Sequence, residues 1–179
     1  MPRGPFRATV HVVIATERLL LRRFTQDDAA FVLELVNDPD FHRNIGDRGV
    51  RTEGDARAAI AARFEQSYER NGFGLYLVRM KDAETPIGMC GLIRRDTLPD
   101  VDIGYAFLPA YRSRGYAVEA ARATVAHARD DFGLKRLVAI VLPQNAPSIR
   151  VLEAIGLAFE RNIRLPGDDA EIALFAVDF

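Results

Sequence analysis

The spacing of apolar positions changes several times along the chain, and each change marks an element. In "ERLLLRRF" (residues 17–24) leucines stand among charged residues, as in a strand. From Thr25 the period lengthens. Phe31, Leu35 and Val36 share a helical face, and Asp28 follows Thr25 at the distance of a helix-capping pair. Thr52 and Asp55 repeat that signature ahead of Ile60, Phe64 and Tyr68. The pattern predicts helices over 26–37 and 53–70, with a loop in "NDPDFHRNIGDRGVR" between them. Three strand signals follow, "FGLYLVRM", "PIGMCGLIRR" and "VDIGYAFL", with connections short enough for an antiparallel meander. Val118, Ala121, Val125, Ala128 and Phe132 then form one stripe of a helix that ends near Gly133. "RLVAIVL" is a continuous apolar run, expected of a central strand covered on both faces. Strand, helix and strand in that order predict a right-handed crossover, with residues 101–108 and 136–142 as parallel neighbours. "APSIRVLEAIG" reads as a short helix, and "LAFERNIRL" with "EIALFAVDF" as a closing hairpin. The expected fold class is mixed α/β with a largely antiparallel sheet.

Composition narrows the function more than the fold. The 179 residues suit one domain with a real core. The 24 basic and 25 acidic side chains nearly cancel, so neither nucleic acid nor an anionic membrane is an expected partner. No apolar stretch reaches the roughly 20 residues of a membrane span. The opening "MPRGPFRATVHVVIA" lacks a convincing cleavage site, which makes a soluble cytoplasmic protein the expectation. Cys90, alone of its kind, excludes an internal disulfide framework and fits a buried, inert thiol. His11, His42 and His127 match no metal-ligand spacing.

The stretch "FLPAYRSRGYAVEAARA" (107–123) carries the chemistry. Two arginines, a serine and a glycine stand between a strand and an alanine-rich helix. A helix start has N–H groups without partners and a partial positive charge. Arg112, Ser113, Arg114, Gly115, Tyr116 and Ala117 would set successive N–H groups around one point, with Gly115 admitting close approach. A diphosphate fits such a site, two guanidinium forks included. Neither G-x-x-x-x-G-K-[ST] nor G-x-G-x-x-G after the first strand is present.

"RSRGYA" resembles the R/Q-x-x-G-x-G/A signature of the GCN5-related N-acetyltransferases (GNAT), and "NAPSIRVLEAIGL" resembles that family's Asn-x-x-Ser/Ala…Gly-Phe segment through Asn145, Ser148 and Gly156. "DIGYAFLPAYRSRGYAVEA" and "TERLLLRRF" are most similar to the ribosomal-protein-alanine acetyltransferase branch. The likeness runs from about residue 16 to 179, leaving residues 1–15 as an N-terminal extension to an N-acetyltransferase domain. It implies a sheet whose central parallel pair splays to admit acetyl-coenzyme A as co-substrate, with helices on both faces. It further implies an amine acceptor, and leaves a homodimer open.

The resemblance also implies roles. Residues 112–117 would hold the pyrophosphate, and main-chain groups of Ala106, Phe107 and Leu108 would pair with the pantetheine arm. Gly104 would allow a local bulge in that strand. Asn145 serves as a helix cap, a ligand contact or both. Asp102, where the family often carries a carboxylate, is the candidate base acting through a water, or else a solvated strand charge. A lysine amine titrates near ~10.4 and an α-amine near ~7.7–8.0, so a terminal amine asks less of that base. The family's acid tyrosine stands seven residues after the asparagine; that place is Leu152 here, with core spacing. Ser148 or a water is the substitute. The alternative to an enzyme is a coenzyme A-binding sensor without catalysis.

Overall fold

The computed structural model describes residues 11–179. It contains one sheet of eight strands: β1 (Val12–Ala15), β2 (Leu19–Arg22), β3 (Leu75–Met80), β4 (Pro86–Ile93), β5 (Asp102–Phe107), β6 (Arg136–Val141), β7 (Ala158–Ile163) and β8 (Ile172–Asp178). The spatial order is β1-β2-β3-β4-β5-β6-β8-β7. All neighbours run antiparallel except β5 and β6, which are parallel as the crossover requires. The expected extension over residues 1–15 lies partly outside the described residues, and its last four form β1, an edge strand paired to β2.

The helices are α1 (Ala29–Val36), α2 (Pro39–Asn44), α3 (Glu53–Ala59), α4 (Gln66–Asn71), α5 (Tyr116–Asp130) and α6 (Ala146–Ala154). Residues 60–65 join α3 to α4 as a wider π-helical stretch, so the helix expected over 53–70 is continuous. The Thr52 and Asp55 pair forms its cap, each side chain accepting from the other's N–H. Helix α2 replaces part of the expected loop. Asp38 accepts from the Phe41 N–H and Pro39 takes the first helical position, a start signal the apolar spacing does not register.

Helix α5 lies across β4 and β5. Its buried stripe is centred on Ala120, Ala121, Thr124 and Ala128, all fully buried, while Val118, Val125 and Phe132 flank it half-buried. Small residues on the inner face let the helix sit close to the sheet, where the Cys90 thiol and Thr124 hydroxyl are 3.3 Å apart. Burial pushes the Cys90 thiol up to about 12, so it stays protonated and inert as expected. Among the described residues, no helix is long and apolar enough to cross a membrane.

Gly104 does not form a bulge. It pairs with Gly91 in an unbroken β4–β5 register, because what disturbs β5 lies on its other edge. The two glycines differ in what surrounds them. A Cβ at Gly91 would overlap the Gly74 carbonyl and lie 2.7 Å from the Leu75 Cα, which are backbone atoms; at Gly104 the near neighbour is the mobile tip of Ile93, at 2.7 Å. Gly91→Ala is therefore expected to cost about 1–3 kcal/mol or more, and Gly104→Ala less than about 1 kcal/mol. Urea denaturation of the two variants checks this, and equal costs would contradict it.

Candidate active site

The site starts from a pairing that stops. Parallel strands β5 and β6 share one rung, Asp102 with Val138, closed by the Val138 N–H donating to the Val101 carbonyl at 3.1 Å. Beyond it β5 continues for five residues without β6. Leu108 donates to the Ile87 carbonyl at 3.0 Å and so faces β4, as Ala106 does by alternation. Of the three main-chain positions expected to line the slot, only Phe107 turns towards it, and Tyr105 joins it. The Phe107 carbonyl already accepts from the Arg112 Nε at 2.9 Å, leaving its N–H for a guest.

Past β5 the chain makes a 3₁₀ turn (Pro109–Tyr111) and enters the expected loop. Ser113 has φ +57° and Gly115 φ +81°. Two left-handed residues so close together curl successive N–H groups inwards, as in anion-binding nests. Serine rarely adopts this conformation, and nothing in the sequence announces it. The six N–H groups of residues 113–118 have no acceptor among the described residues, and 113–115 are exposed. The first N–H of this region with a partner is Glu119, which donates to the Gly115 carbonyl at 3.0 Å. An open row of donors at the start of a fifteen-residue helix is an anion site.

The arginines are distributed otherwise than expected. Arg114 stays exposed at the turn. Arg112 instead sends its fork to α2, pairing with Asp38 at 2.5 Å and Asp40 at 2.6 Å, while its own N–H donates to Pro109. It latches the helix wall to the slot strand. Glu119 does more than complement the helix dipole: it accepts from Thr16 at 2.6 Å and from the Arg18 N–H and Nε at 2.8 and 2.6 Å. Arg18, Asp38 and Asp40 are site residues that sequence reasoning missed. Asp38-Pro39 was a readable signal; Arg18 had none, standing about a hundred residues away.

Asp102 sits at the throat of the slot, 1% exposed, with both carboxylate oxygens 3.0–3.1 Å from the Arg95 Nε. Burial raises its pKa to about 6, against the opposing pull of Arg95. It is no solvated strand charge. Across the slot, the Asn145 side chain accepts from the Ser148 N–H at 3.3 Å and so caps α6. The Ser148 hydroxyl lies 2.9 Å from the Tyr105 hydroxyl, which also donates to the Ser148 carbonyl at 3.0 Å. Burial raises the Tyr105 pKa, so that hydroxyl keeps its proton. Leu152, at the position of the missing tyrosine, is core, 1% exposed. Tyr116 is buried, and its ring centroid lies 6.5 Å from that of Tyr111.

The latch makes a prediction. The Asp38 side chain is only 8% exposed, so Arg112→Ala leaves a covered carboxylate without its partner and is expected to cost about 1–3 kcal/mol. Asp40 is more exposed, and Asp40→Ala should cost less than about 1 kcal/mol. Thermal denaturation separates the two; an Arg112→Ala variant as stable as the parent would remove the latch.

Comparison with known proteins agrees with this geometry. A model of the acetyltransferase (GNAT) domain matches residues 18–158. The chain is 33% identical over 147 residues to the uncharacterized N-acetyltransferase YnaD of Bacillus subtilis strain 168, covering 82% of this chain and 83% of that one. A GNAT-family acetyltransferase from Bacillus anthracis superposes with a TM-score of 0.75 at 29% identity, over 92% of this chain and 97% of its own. Mycobacterium smegmatis RimJ, solved in complex with CoA-disulfide, shares the fold with a TM-score of 0.73 at 21% identity, over 89% and 81%. The slot beside β5 and the open turn before α5 thus belong to a chain of the GNAT family, the acetyltransferases that use acetyl-coenzyme A as acetyl donor.

Proposed function

We propose that the chain transfers the acetyl group of acetyl-coenzyme A to a primary amine by direct attack in a ternary complex. The acceptor is a protein α-amine or a small-molecule amine. One observation carries this reading: six unpaired N–H donors open beside the unpaired edge of β5. The N–H groups from Ser113 to Ala117 receive the diphosphate. The Tyr105 and Phe107 main chain offers partners to the amide-rich arm, and Asn145 closes the other side with its amide N–H₂, which has no partner among the described residues.

Asp102 takes the amine's proton through a water, so it must be ionised to act. Ser148 is the candidate donor to the departing thiolate. It stands one helical turn before Leu152, and the Tyr105 hydroxyl holds its side chain in place. The acceptor faces α1, α3, α4 and residues 38–51. Arg48 lies near enough to Arg63 and Arg95 for their like charges, after desolvation, to lower its pKa. The same elements also carry Asp38, Asp40, Asp47 and Asp55, so the wall is mixed in charge and selects no one class of amine.

The test is thiol release from acetyl-coenzyme A with a panel of amines. Release with at least one primary amine of the panel is expected; coenzyme A binding without release for any amine would overturn the proposal. Gly115→Glu should abolish coenzyme A binding in calorimetry, because its carboxylate occupies the diphosphate's place. At saturating amine, kcat should fall as pH drops through about 6, since Asp102 is protonated below that value. Arg95→Gln, which removes the charge favouring ionisation, should move this limb upwards, and Asp102→Asn should remove it. An unmoved limb in both variants would discard Asp102 as base.

A further inference from the structure

Arg18 lies in the turn between β1 and β2, yet its side chain reaches the start of α5. Its Nε donates to Glu119 Oε2 at 2.6 Å, and its Nη1 donates to the Arg114 carbonyl at 3.1 Å. The guanidinium carbon stands 4.5 Å from the centroid of the Tyr116 ring. Three contacts from three residues fix the plane of the fork. Its Nη2 has no partner among the described residues, and it flanks Gly115. A Cβ on that glycine would lie 3.3 Å from it.

A structural tie between the β1–β2 turn and α5 accounts for Nε, for the Arg18 N–H and for Nη1. It does not account for Nη2. Arginine carries five donors in a rigid plane, so fixing that plane through Nε and Nη1 also orients Nη2. The surplus donors border the space that Gly115 leaves bare, at the mouth of the row of unpaired N–H groups. With the Arg112 fork committed to Asp38 and Asp40, a fixed cation is still wanted there.

We propose that Arg18 is a cofactor-binding residue: its Nη2 donates to a phosphate oxygen of the coenzyme A diphosphate, opposite the main-chain donors of residues 113–117. Glu119 is its positioning residue, orienting the fork through Nε. This rests on the cofactor reading above and adds to it a side chain from a distant part of the chain. No covalent bond is made or broken in the step.

The experiment compares full-length parent, Arg18→Gln, Arg18→Lys and Glu119→Gln. Coenzyme A affinity is measured by calorimetry, and turnover with two thioester donors: acetyl-coenzyme A, and acetyl-pantetheine, which lacks the diphosphate and nucleotide. Arg18→Gln should weaken coenzyme A binding by about 10- to 100-fold, the weight of one charge-assisted hydrogen bond, while acetyl-pantetheine turnover changes less than about threefold. Arg18→Lys retains the ion pair with Glu119 and so the fold, but lacks the fork; it should still lose affinity. Glu119→Gln should show a smaller loss in the same direction. A purely structural role predicts that both donors suffer in the same proportion, with a lowered Tm. That result, or parent-like affinity in Arg18→Lys and Arg18→Gln, would overturn the assignment. A parent protein that binds no coenzyme A would instead remove the reading beneath it.

Discussion

Parallel strands that share a single rung leave main-chain donors and acceptors exposed, and such groups need partners. In this protein β5 and β6 meet at Asp102 and Val138 and then lose contact as a ladder. The slot is the consequence of that one pairing. On one side the Tyr105 and Phe107 main chain faces it; on the other stand Asn145 and Ser148 at the head of α6. At its far end the chain turns through Ser113 and Gly115 in left-handed conformations, and the N–H groups of 113–118 are all left open. The strain of a serine at φ +57° is consistent with a site held in shape by its surroundings, here by Glu119, Arg18 and Arg112. Linear, amide-bearing and anionic at one end is the ligand this geometry suits.

Charge is then distributed so that each arginine does one job. Arg112 ties α2 to the slot strand through two aspartates and the Phe107 carbonyl. Arg95 keeps the buried Asp102 from rising further in pKa. Arg18 borders the turn that precedes α5. The near-neutral net charge of the chain hides this arrangement, because Arg18, Arg95 and Arg112 are each matched by carboxylates at hand. The same arrangement joins the start of α2 to the loop that follows β5, through Arg112.

The fold was largely legible because its strands and helices differ in apolar period, and because a strand, helix and strand leave one handedness for the crossover. The turn of open N–H groups was legible too, since glycine, arginine and an alanine-rich helix start sit within a few residues of each other. What escaped was whatever depends on distant partners. Arg18 meets Glu119 across the fold, so no local pattern marks it. Asp102 alternates as a solvent-facing residue would, yet tertiary packing buries it and sets Arg95 against it. Of Ala106, Phe107 and Leu108 only Phe107 faces the slot, with Tyr105 beside it, because strand alternation alone does not say which edge a neighbour occupies. Helix α2 was lost in a polar stretch whose start signal, Asp38 before Pro39, outweighs its weak apolar spacing. Gly104 would allow a bulge but forms none, since the irregularity of β5 lies on its β6 edge.

The central claim is that the main-chain donors of residues 113–117 bind the charged end of the ligand. Amide spectra of nitrogen-labelled protein titrated with coenzyme A, inorganic pyrophosphate and pantetheine test it directly. Coenzyme A and pyrophosphate should both move the resonances of residues 113–117 downfield, whereas pantetheine should move those of Tyr105 and Phe107 and leave the turn unchanged. Resonances at 113–117 that stay still under saturating coenzyme A would contradict the account.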